Sequence, residues 1–97
     1  MFRIELTPEA AADLRSFRRY DQEQIVAGME GQPPHQATDP SRNRKRLRPN
    51  RLAEWELRIG DFRVFYDIDF DESLVKIEAI GYKDGSRLFV HGEEYEL

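Results

Sequence analysis

The hydrophobic residues at the start of the chain follow first the period of a strand and then that of a helix. Phe2, Ile4 and Leu6 alternate with charged residues, and this alternation predicts a half-buried strand. Thr7 and Pro8 are typical of a helix start, because the threonine hydroxyl can accept a hydrogen bond from a free backbone amide and proline at the first helical position gives up no needed donor. We therefore expect a strand that leads directly into a helix.

Two helices are predicted after this strand. The first runs from Pro8 to about Tyr20, and the second begins with a cap at Asp21 and ends near Gly31. Helices that follow one another so closely favour a helical hairpin. The apolar face of the first helix consists of Ala10, Leu14 and Phe17, its solvent face of Asp13, Arg15, Arg18 and Arg19, and the apolar stripe of the second helix of Ile25, Val26 and Met29.

The second half of the chain has the pattern of successive strands. Residues 31–43 contain three prolines and almost nothing apolar, which predicts an irregular surface segment. Beyond them apolar and polar residues alternate, and Gly60-Asp61 has the composition of a two-residue hairpin turn. The predicted strands are Trp55–Ile59, Phe62–Ile68, Leu74–Ile80 closed by Gly81, and a short fourth or edge strand at Arg87–Val90; their polar face carries Glu54, Glu56, Arg58, Arg63, Phe65, Asp67 and Asp69. This order predicts an α+β fold, an antiparallel four- to five-stranded sheet with the N-terminal two-helix hairpin packed on one face.

The composition describes one small domain over residues 1–97. Hydrophobic residues make up 39% of the chain and charged residues 35%, which is typical of a folded soluble domain. The lack of cysteine excludes a disulfide framework, a thiolate zinc site and a cysteine nucleophile. His35 and His91 have no second histidine at ligand spacing, so we expect neither a metal nor another cofactor. No apolar run approaches the ~20 residues that span a bilayer, and the N-terminus is charged from its third residue, so we expect a cytoplasmic protein.

Charge is segregated along the chain although the net charge is only −4. Residues 42–51 contain six basic residues and no acidic one, whereas both flanking segments are acidic. Cations this close repel one another unless an anion lies nearby, and that anion is either a phosphate backbone or the protein's own carboxylates. Five of the six are arginines, whose planar fork suits bidentate phosphate contacts. The hypothesis of a polyanion site assigns nucleic-acid binding to Arg44, Lys45, Arg46, Arg48 and Arg51.

Two further arginines come together at the predicted hairpin. Arg58 ends one strand and Arg63 begins the next, so we expect them to be neighbours across the turn. Two cations so placed are costly unless an anion lies between them. Glu54, Glu56 and Asp61 supply that anion if they form an ion-pair ladder, and a bound phosphate supplies it otherwise. The sequence leaves both possibilities open.

Several stretches combine into a recognisable pattern: Leu6-Thr7-Pro8-Glu9-Ala10 at the first helix, Asn43-Arg44-Lys45 followed by Leu47, the segment from Trp55 to Tyr66 across the hairpin, and Ala79-Ile80-Gly81-Tyr82-Lys83. In this combination the chain resembles the RelE/ParE toxin superfamily of bacterial type II toxin–antitoxin systems over nearly its whole length. The resemblance implies a RelE-like fold, with a compact antiparallel sheet backed by two helices. It also implies a small antitoxin that wraps the toxin and neutralises it.

The resemblance further implies a reaction for those members that cut ribosome-bound mRNA. There the ribose 2′-hydroxyl attacks the adjacent phosphate without a metal ion, basic side chains stabilise the charge on that phosphate, and a polar group protonates the leaving oxygen. Carried over residue by residue, Arg63, Lys83 and Arg58 are the candidate catalytic residues. The partners implied are the cognate antitoxin and mRNA on the ribosome.

Three positions differ from the mRNA-cutting members. Two strand positions that are lysines there align with Glu54 and Glu56, and a C-terminal tyrosine with a proton-transfer role aligns with Phe89. An mRNA-cutting reaction then needs substitutes: Lys45, Arg46 and Arg48 for the lysines, and Tyr82, His91 or Tyr95 for the tyrosine. Two alternatives stay open, namely a ParE-like toxin that poisons DNA gyrase by binding and a non-toxic relative that only pairs with an antitoxin or with itself.

The sequence also offers surfaces for the implied antitoxin. An acidic, amphipathic peptide suits the predicted edge strand at Leu88–Val90, the solvent-facing arginines of the first helix and the basic residues of 42–51. These surfaces are hypotheses from pattern alone.

Overall fold

A computed structural model of the chain describes residues 3–31 and 43–96. Over these ranges the elements are β1 (Arg3–Leu6), α1 (Pro8–Ser16), α2 (Arg19–Gly31), β2 (Arg44–Arg46), β3 (Trp55–Ile59), β4 (Phe62–Asp69), β5 (Leu74–Asp84), β6 (Arg87–Val90) and β7 (Glu93–Tyr95). Strands β2 to β7 lie side by side in chain order and pair antiparallel, whereas β1 pairs in parallel with β5. The α+β class with two N-terminal helices is confirmed.

The sheet of the described chain has seven strands rather than the four or five that the alternation predicts. Two of them, β2 and β7, have three residues each and are mostly charged, so they carry no apolar alternation to recognise. The strand predicted at Arg87–Val90 is confirmed as β6, but its position at the edge of the sheet is wrong, because β7 pairs with it. The irregular segment predicted for residues 31–43 lies largely outside the described residues, as do Phe2, His35 and Arg42.

The predicted start of α1 is confirmed. Thr7 is the N-cap, and its Oγ1 accepts a hydrogen bond from the backbone N–H of Ala10 at 3.1 Å. Proline stands in the first helical turn, where its missing N–H leaves no hydrogen bond unmade. The local sequence is sufficient to determine this helix start, because each cap contact is made within four residues.

The end of α1 differs from the prediction. The helix ends at Ser16, about one turn before Tyr20, because Phe17 adopts an extended backbone with ψ of 159°. This break directs the Phe17 ring onto the sheet, where it packs edge-to-face against Phe62 at a centroid distance of 5.2 Å and against Tyr82 at 6.1 Å. The helix thus ends at the residue whose aromatic ring packs against the sheet.

The second helix begins earlier than predicted. It starts at Arg19, so Asp21 lies in its first turn and is not the cap. Asp21 instead forms an ion pair with Arg18 at 3.2 Å, and Arg19 lies 3.6 Å from Glu23.

Neither helix of the described chain has the length and hydropathy that crossing a membrane requires.

Hydrophobic residues are buried on both faces of the sheet. The larger cluster lies between the helices and the sheet, and it contains Ala10, Ile25, Met29, Trp55, Leu57, Val64, Tyr66, Val75, Ile77 and Ile80. A smaller cluster on the other face contains Ala53, Phe65, Ala79, Leu88 and Val90. Placing Phe65 and Glu56 on a polar face is therefore inaccurate, because both are buried. A period-two pattern does not show that the second face has a core of its own.

Helix α1 fills a gap in the hydrogen bonding of β5. Residues 74–77 of β5 pair with β1 and residues 81–84 pair with β6, which leaves the amide of Ile80 without a strand partner on that edge. Asp13 Oδ2 accepts a hydrogen bond from this amide at 3.0 Å, and Asp13 Oδ1 lies 2.7 Å from Nδ1 of His91. Asp13 is 7% exposed, so the prediction that it lies on the solvent face of the first helix is wrong. The carboxylate ties α1 to β5 and to the turn after β6.

Gly81 lies inside β5 and does not close it. A Cβ atom at this position would lie 2.4 Å from the carbonyl oxygen of Phe89 and 2.7 Å from Cγ2 of Val90. The close approach of β6 to β5 therefore requires glycine. The strand continues to Asp84 and brings Lys83 into the sheet.

We expect Asp13→Ala to lower the free energy of unfolding by about 1–3 kcal/mol, because the substitution leaves the buried amide of Ile80 without an acceptor. Urea denaturation followed by circular dichroism measures this loss. Glu30→Ala, which removes an exposed carboxylate from α2, is the control and should change stability by less than about 0.5 kcal/mol. Equal stability of the two variants would contradict the role given to Asp13.

Candidate functional site

The face of the sheet opposite the helices carries a groove of about 890 Å³. Residues from β2, β3, β5, β6 and β7 line it together with residues 47–51 of the segment between β2 and β3. We call it the basic groove, because seven cationic residues line it against three glutamates; the cations are Lys45, Arg46, Arg48, Arg51, Arg58, Lys83 and Arg87. An excess of positive charge in a concave surface attracts an anionic ligand.

A short loop, residues 47–53, forms the wall of the basic groove. Leu47 and Leu52 pack against the smaller hydrophobic cluster and anchor the loop on the sheet. The side chain of Asn50 makes four hydrogen bonds within the loop: its amide donates to the carbonyls of Arg48 (2.7 Å) and Ala53 (2.9 Å), and its oxygen accepts from the amides of Leu52 (2.7 Å) and Ala53 (3.1 Å). The signal for this role in the sequence is the place of Asn50 directly after a proline, which is typical of a turn.

Three cations of the basic groove are paired with glutamates. Lys45 Nζ lies 3.5 Å from Glu56 Oε2, Arg46 lies 2.9 Å from Glu54, and Arg87 lies 2.7 Å from Glu94. Glu54 and Glu56 thus pair with β2, a strand that the sequence did not predict. Of the possible ladder of Glu54, Glu56 and Asp61 between Arg58 and Arg63, one contact forms within residues 3–31 and 43–96, that of Glu56 with Arg63.

Arg63 is held by the protein itself. It faces Arg58 in the register of β3 and β4, as predicted, but only 9% of it is exposed. Its Nε lies 3.2 Å from Glu56 Oε1 in an ion pair without good hydrogen-bond geometry, and its Nη1 donates to the carbonyls of Gly60 and Phe62, both at 2.9 Å. Burial lowers the pKa of Arg63, and the carboxylate of Glu56 opposes that effect. Arg63 does not line the basic groove.

Arg48, Arg58 and Lys83 remain open. All three line the basic groove, and none has a carboxylate within 4.0 Å among the residues of 3–31 and 43–96. Arg58 is exposed, and Lys83 is half-buried at the far end of β5. The structure thus divides the predicted catalytic set: Arg58 and Lys83 face the groove, and Arg63 lies behind them.

The predicted nucleic-acid-binding residues also divide. Lys45, Arg46, Arg48 and Arg51 line the basic groove. Arg44 does not, because its side chain lies on the helix-facing side of β2 and is 4% exposed. There it forms a hydrogen bond with Tyr66. Burial raises the pKa of Tyr66 to about 12, although the Arg44 guanidinium acts in the opposite direction.

Of the residues considered for proton transfer, Tyr95 is the one that lines the basic groove. Phe89 lies on the other face, where its ring stacks on that of Tyr82 at a centroid distance of 5.3 Å. The guanidinium carbon of Arg87 lies 5.2 Å from the centroid of the Phe89 ring. His91 faces Asp13. The Tyr95 ring carries the guanidinium of Arg51 at 5.2 Å.

A second groove lies on the other side of the loop 47–53. Three arginines and three acidic residues line it, namely Arg46, Arg48, Arg51, Glu54, Asp67 and Glu78. Burial raises the pKa of Glu78 to about 7, and a hydrogen bond and repulsion from the Asp67 carboxylate add to the shift. Lys76 opposes the shift.

No group of three His, Asp or Glu side chains suited to a metal ion occurs within residues 3–31 and 43–96.

Comparison with known proteins gives a family and a structural neighbour. A family model described as the ParE toxin of the type II toxin–antitoxin system parDE matches residues 4–85. The fold is similar to that of a chain in the crystal structure of the toxin–antitoxin complex RelBE2 from Mycobacterium tuberculosis, with a TM-score of 0.67 and 23% sequence identity over 84% of this chain and 98% of that one. None of the curated protein sequences matches this chain.

We expect Glu56→Gln to lower the free energy of unfolding by about 3 kcal/mol, because it leaves the buried Arg63 guanidinium without a counter-charge. Thermal and urea denaturation measure the loss. Glu54→Gln is the matched control two residues away; it breaks the exposed pair with Arg46 and should cost no more than about 0.5 kcal/mol. Similar losses in both variants would contradict the difference in burial.

We expect Glu78→Gln to stabilise the protein above pH 7 by on the order of 1 kcal/mol and to have little effect near pH 4.5. The folded protein binds the Glu78 proton more tightly than the unfolded chain does, since the pKa is about 7 instead of the ordinary 4.5. Stability from this group is therefore complete at low pH and is lost as the pH rises towards 7. Urea denaturation from pH 4.5 to 8 tests this, with Glu93→Gln as the control for removal of one exposed carboxylate. A difference that does not vary with pH would contradict the shift.

Proposed function

The chain belongs to the ParE toxin family of type II toxin–antitoxin systems, within the RelE/ParE superfamily, and we propose on this premise that it inhibits translation by cutting ribosome-bound mRNA in the basic groove. One observation carries the proposal. Arg48, Arg58 and Lys83 line a single groove, and no carboxylate of the described chain neutralises them. The phosphate backbone of RNA supplies the missing negative charge.

The open cations support a reaction of the metal-independent type. When the ribose 2′-hydroxyl attacks the adjacent phosphate, negative charge grows on the phosphate oxygens, and Arg58 and Lys83 are placed to stabilise it. Arg63 contributes by holding Glu56 and the hairpin in place, because its Nη1 donates to two backbone carbonyls and its Nε lies against the Glu56 carboxylate. Tyr95 is the candidate for protonating the leaving oxygen, since it has a hydroxyl in the basic groove and Phe89 has none.

The partner that regulates the toxin is a cognate antitoxin. The structural neighbour was solved as a toxin–antitoxin complex, which supports such a partner. We place an acidic segment of the antitoxin in the basic groove, where it would compete with RNA for the same cations. The strand Leu88–Val90 is not available for edge pairing, because β7 covers it.

A second function, poisoning of DNA gyrase by binding, has its own support. The matching family model is that of ParE, and the buried Glu56 places a carboxylate beside the cations where the mRNA-cutting members have a lysine. A toxin that acts by binding alone needs neither a proton donor nor an open Arg63.

We expect the purified protein to cut mRNA on programmed ribosomes, and Arg58→Ala and Lys83→Ala each to slow cleavage by roughly 10²- to 10³-fold. Single-turnover cleavage of a labelled message measures the rate. Lys76→Ala is the matched control, because Lys76 lies on the same strand as Lys83 but does not line the basic groove, and its rate should stay within about twofold of the parent.

The contrary outcomes separate the two functions. Intact mRNA with the parent protein, together with trapped cleaved DNA in a gyrase supercoiling assay, would replace the first function by the second. Absence of both effects, and of growth arrest when the chain is expressed alone, would contradict both.

A further inference from the structure

We infer that Arg51 and Tyr95 form a platform on which one nucleobase of single-stranded RNA stacks. The inference rests on the proposed function of the basic groove and adds to it a subsite for a base. The open cations described above account for the phosphates alone and provide no site for a base.

The platform is already assembled. The guanidinium carbon of Arg51 lies 5.2 Å from the centroid of the Tyr95 ring, and both side chains line the basic groove. Tyr95 lies opposite Leu88 in the register of β6 and β7 and packs against the smaller hydrophobic cluster, so its ring has a fixed position. The guanidinium of Arg51 lies over the ring, and the exposure of Arg51 leaves its outer side accessible to a ligand.

The loop 47–53 holds Arg51 in place. The four hydrogen bonds of Asn50 fix the backbone on both sides of this residue, since they join the carbonyl of Arg48 to the amides of Leu52 and Ala53. A ligand that stacks on Arg51 therefore orders little of the chain, which lowers the entropic cost of binding. No carboxylate of the described residues lies within ion-pair distance of Arg51 to compete with the ligand.

The chemistry of the surroundings favours a base over an acidic peptide. Leu47, Pro49 and Leu88 line the same groove and provide apolar surface beside the guanidinium. A nucleobase is planar and can use both the cation and the apolar surface, whereas a carboxylate uses the cation alone. The bases of a duplex are already stacked on each other, so the occupant is single-stranded.

The test compares a fluorescein-labelled, 2′-O-methylated single-stranded RNA, which cannot be cut, with the same oligonucleotide made abasic throughout. We expect the full-length protein to bind the base-containing strand roughly 5- to 100-fold more tightly in fluorescence anisotropy, the range that one base stacked on a side chain supplies. Arg51→Lys keeps the charge but loses the planar group, so it should reduce that preference several-fold and leave the salt dependence of binding unchanged. Tyr95→Phe keeps the ring and should retain the preference, and Tyr95→Ala should lose it.

Arg87→Lys is the matched control, because Arg87 also lines the groove and also lies over an aromatic ring, but it is paired with Glu94 and its ring lies on the other face. Its preference for bases should equal that of the parent. Equal affinity of the parent for both oligonucleotides, or an unchanged preference in Arg51→Lys, overturns the platform and leaves the proposed function standing if binding still weakens with salt. Cleavage of mRNA on ribosomes without binding of either free oligonucleotide likewise overturns the platform alone. If the protein neither binds these oligonucleotides nor cuts mRNA, both the platform and the proposed function are overturned.

Discussion

The structure depends on satisfying the backbone of β5, the longest strand of the described sheet, along both of its edges. Along one edge, β5 pairs with β4 from Leu74 to Tyr82. The other edge is shared by three elements: β1, then α1 through Thr7 and Asp13, and then β6. A buried amide without a partner costs about as much as a lost hydrogen bond, so α1 must cross the sheet where β1 ends. This constraint places the helices on one face and leaves the other face for the groove.

The open face is organised by a second interaction, the burial of Glu56 between Arg63 and Lys45. A buried carboxylate is tolerated only when it is paired, and here one anion holds cations from two strands. The pairing holds Arg63 inside the protein, and it leaves Arg58, its neighbour across the hairpin, without a carboxylate partner in the described part of the chain. The same glutamate thereby supports the hairpin and determines which arginine is presented to the groove.

The open face carries two grooves that differ in their balance of charge. The loop 47–53 lies between the basic groove and a second groove that holds Asp67 and Glu78. Repulsion and burial in that second groove raise the pKa of Glu78, whereas the cations of the basic groove repel one another. The basic groove attracts an anionic ligand because its cations outnumber its carboxylates, whereas three arginines face three acidic residues in the second groove.

Local patterns in the sequence determined the elements whose contacts are short in the chain: the Thr7 cap, the β3–β4 hairpin with its adjacent arginines, and the concentration of basic residues around the loop 47–53. The order of these elements indicated the α+β class, and the family resemblance added the RelE-like arrangement. The tertiary structure decided what depends on distant partners, namely the role of Asp13, which contacts residues 67 and 78 positions away, and the difference between the buried Arg63 and the open Arg58. The sequence could not separate these cases, because a charged residue has the same letter whether its counter-charge is a buried carboxylate of the same molecule or a ligand, and only the packed sheet determines which of the two it faces.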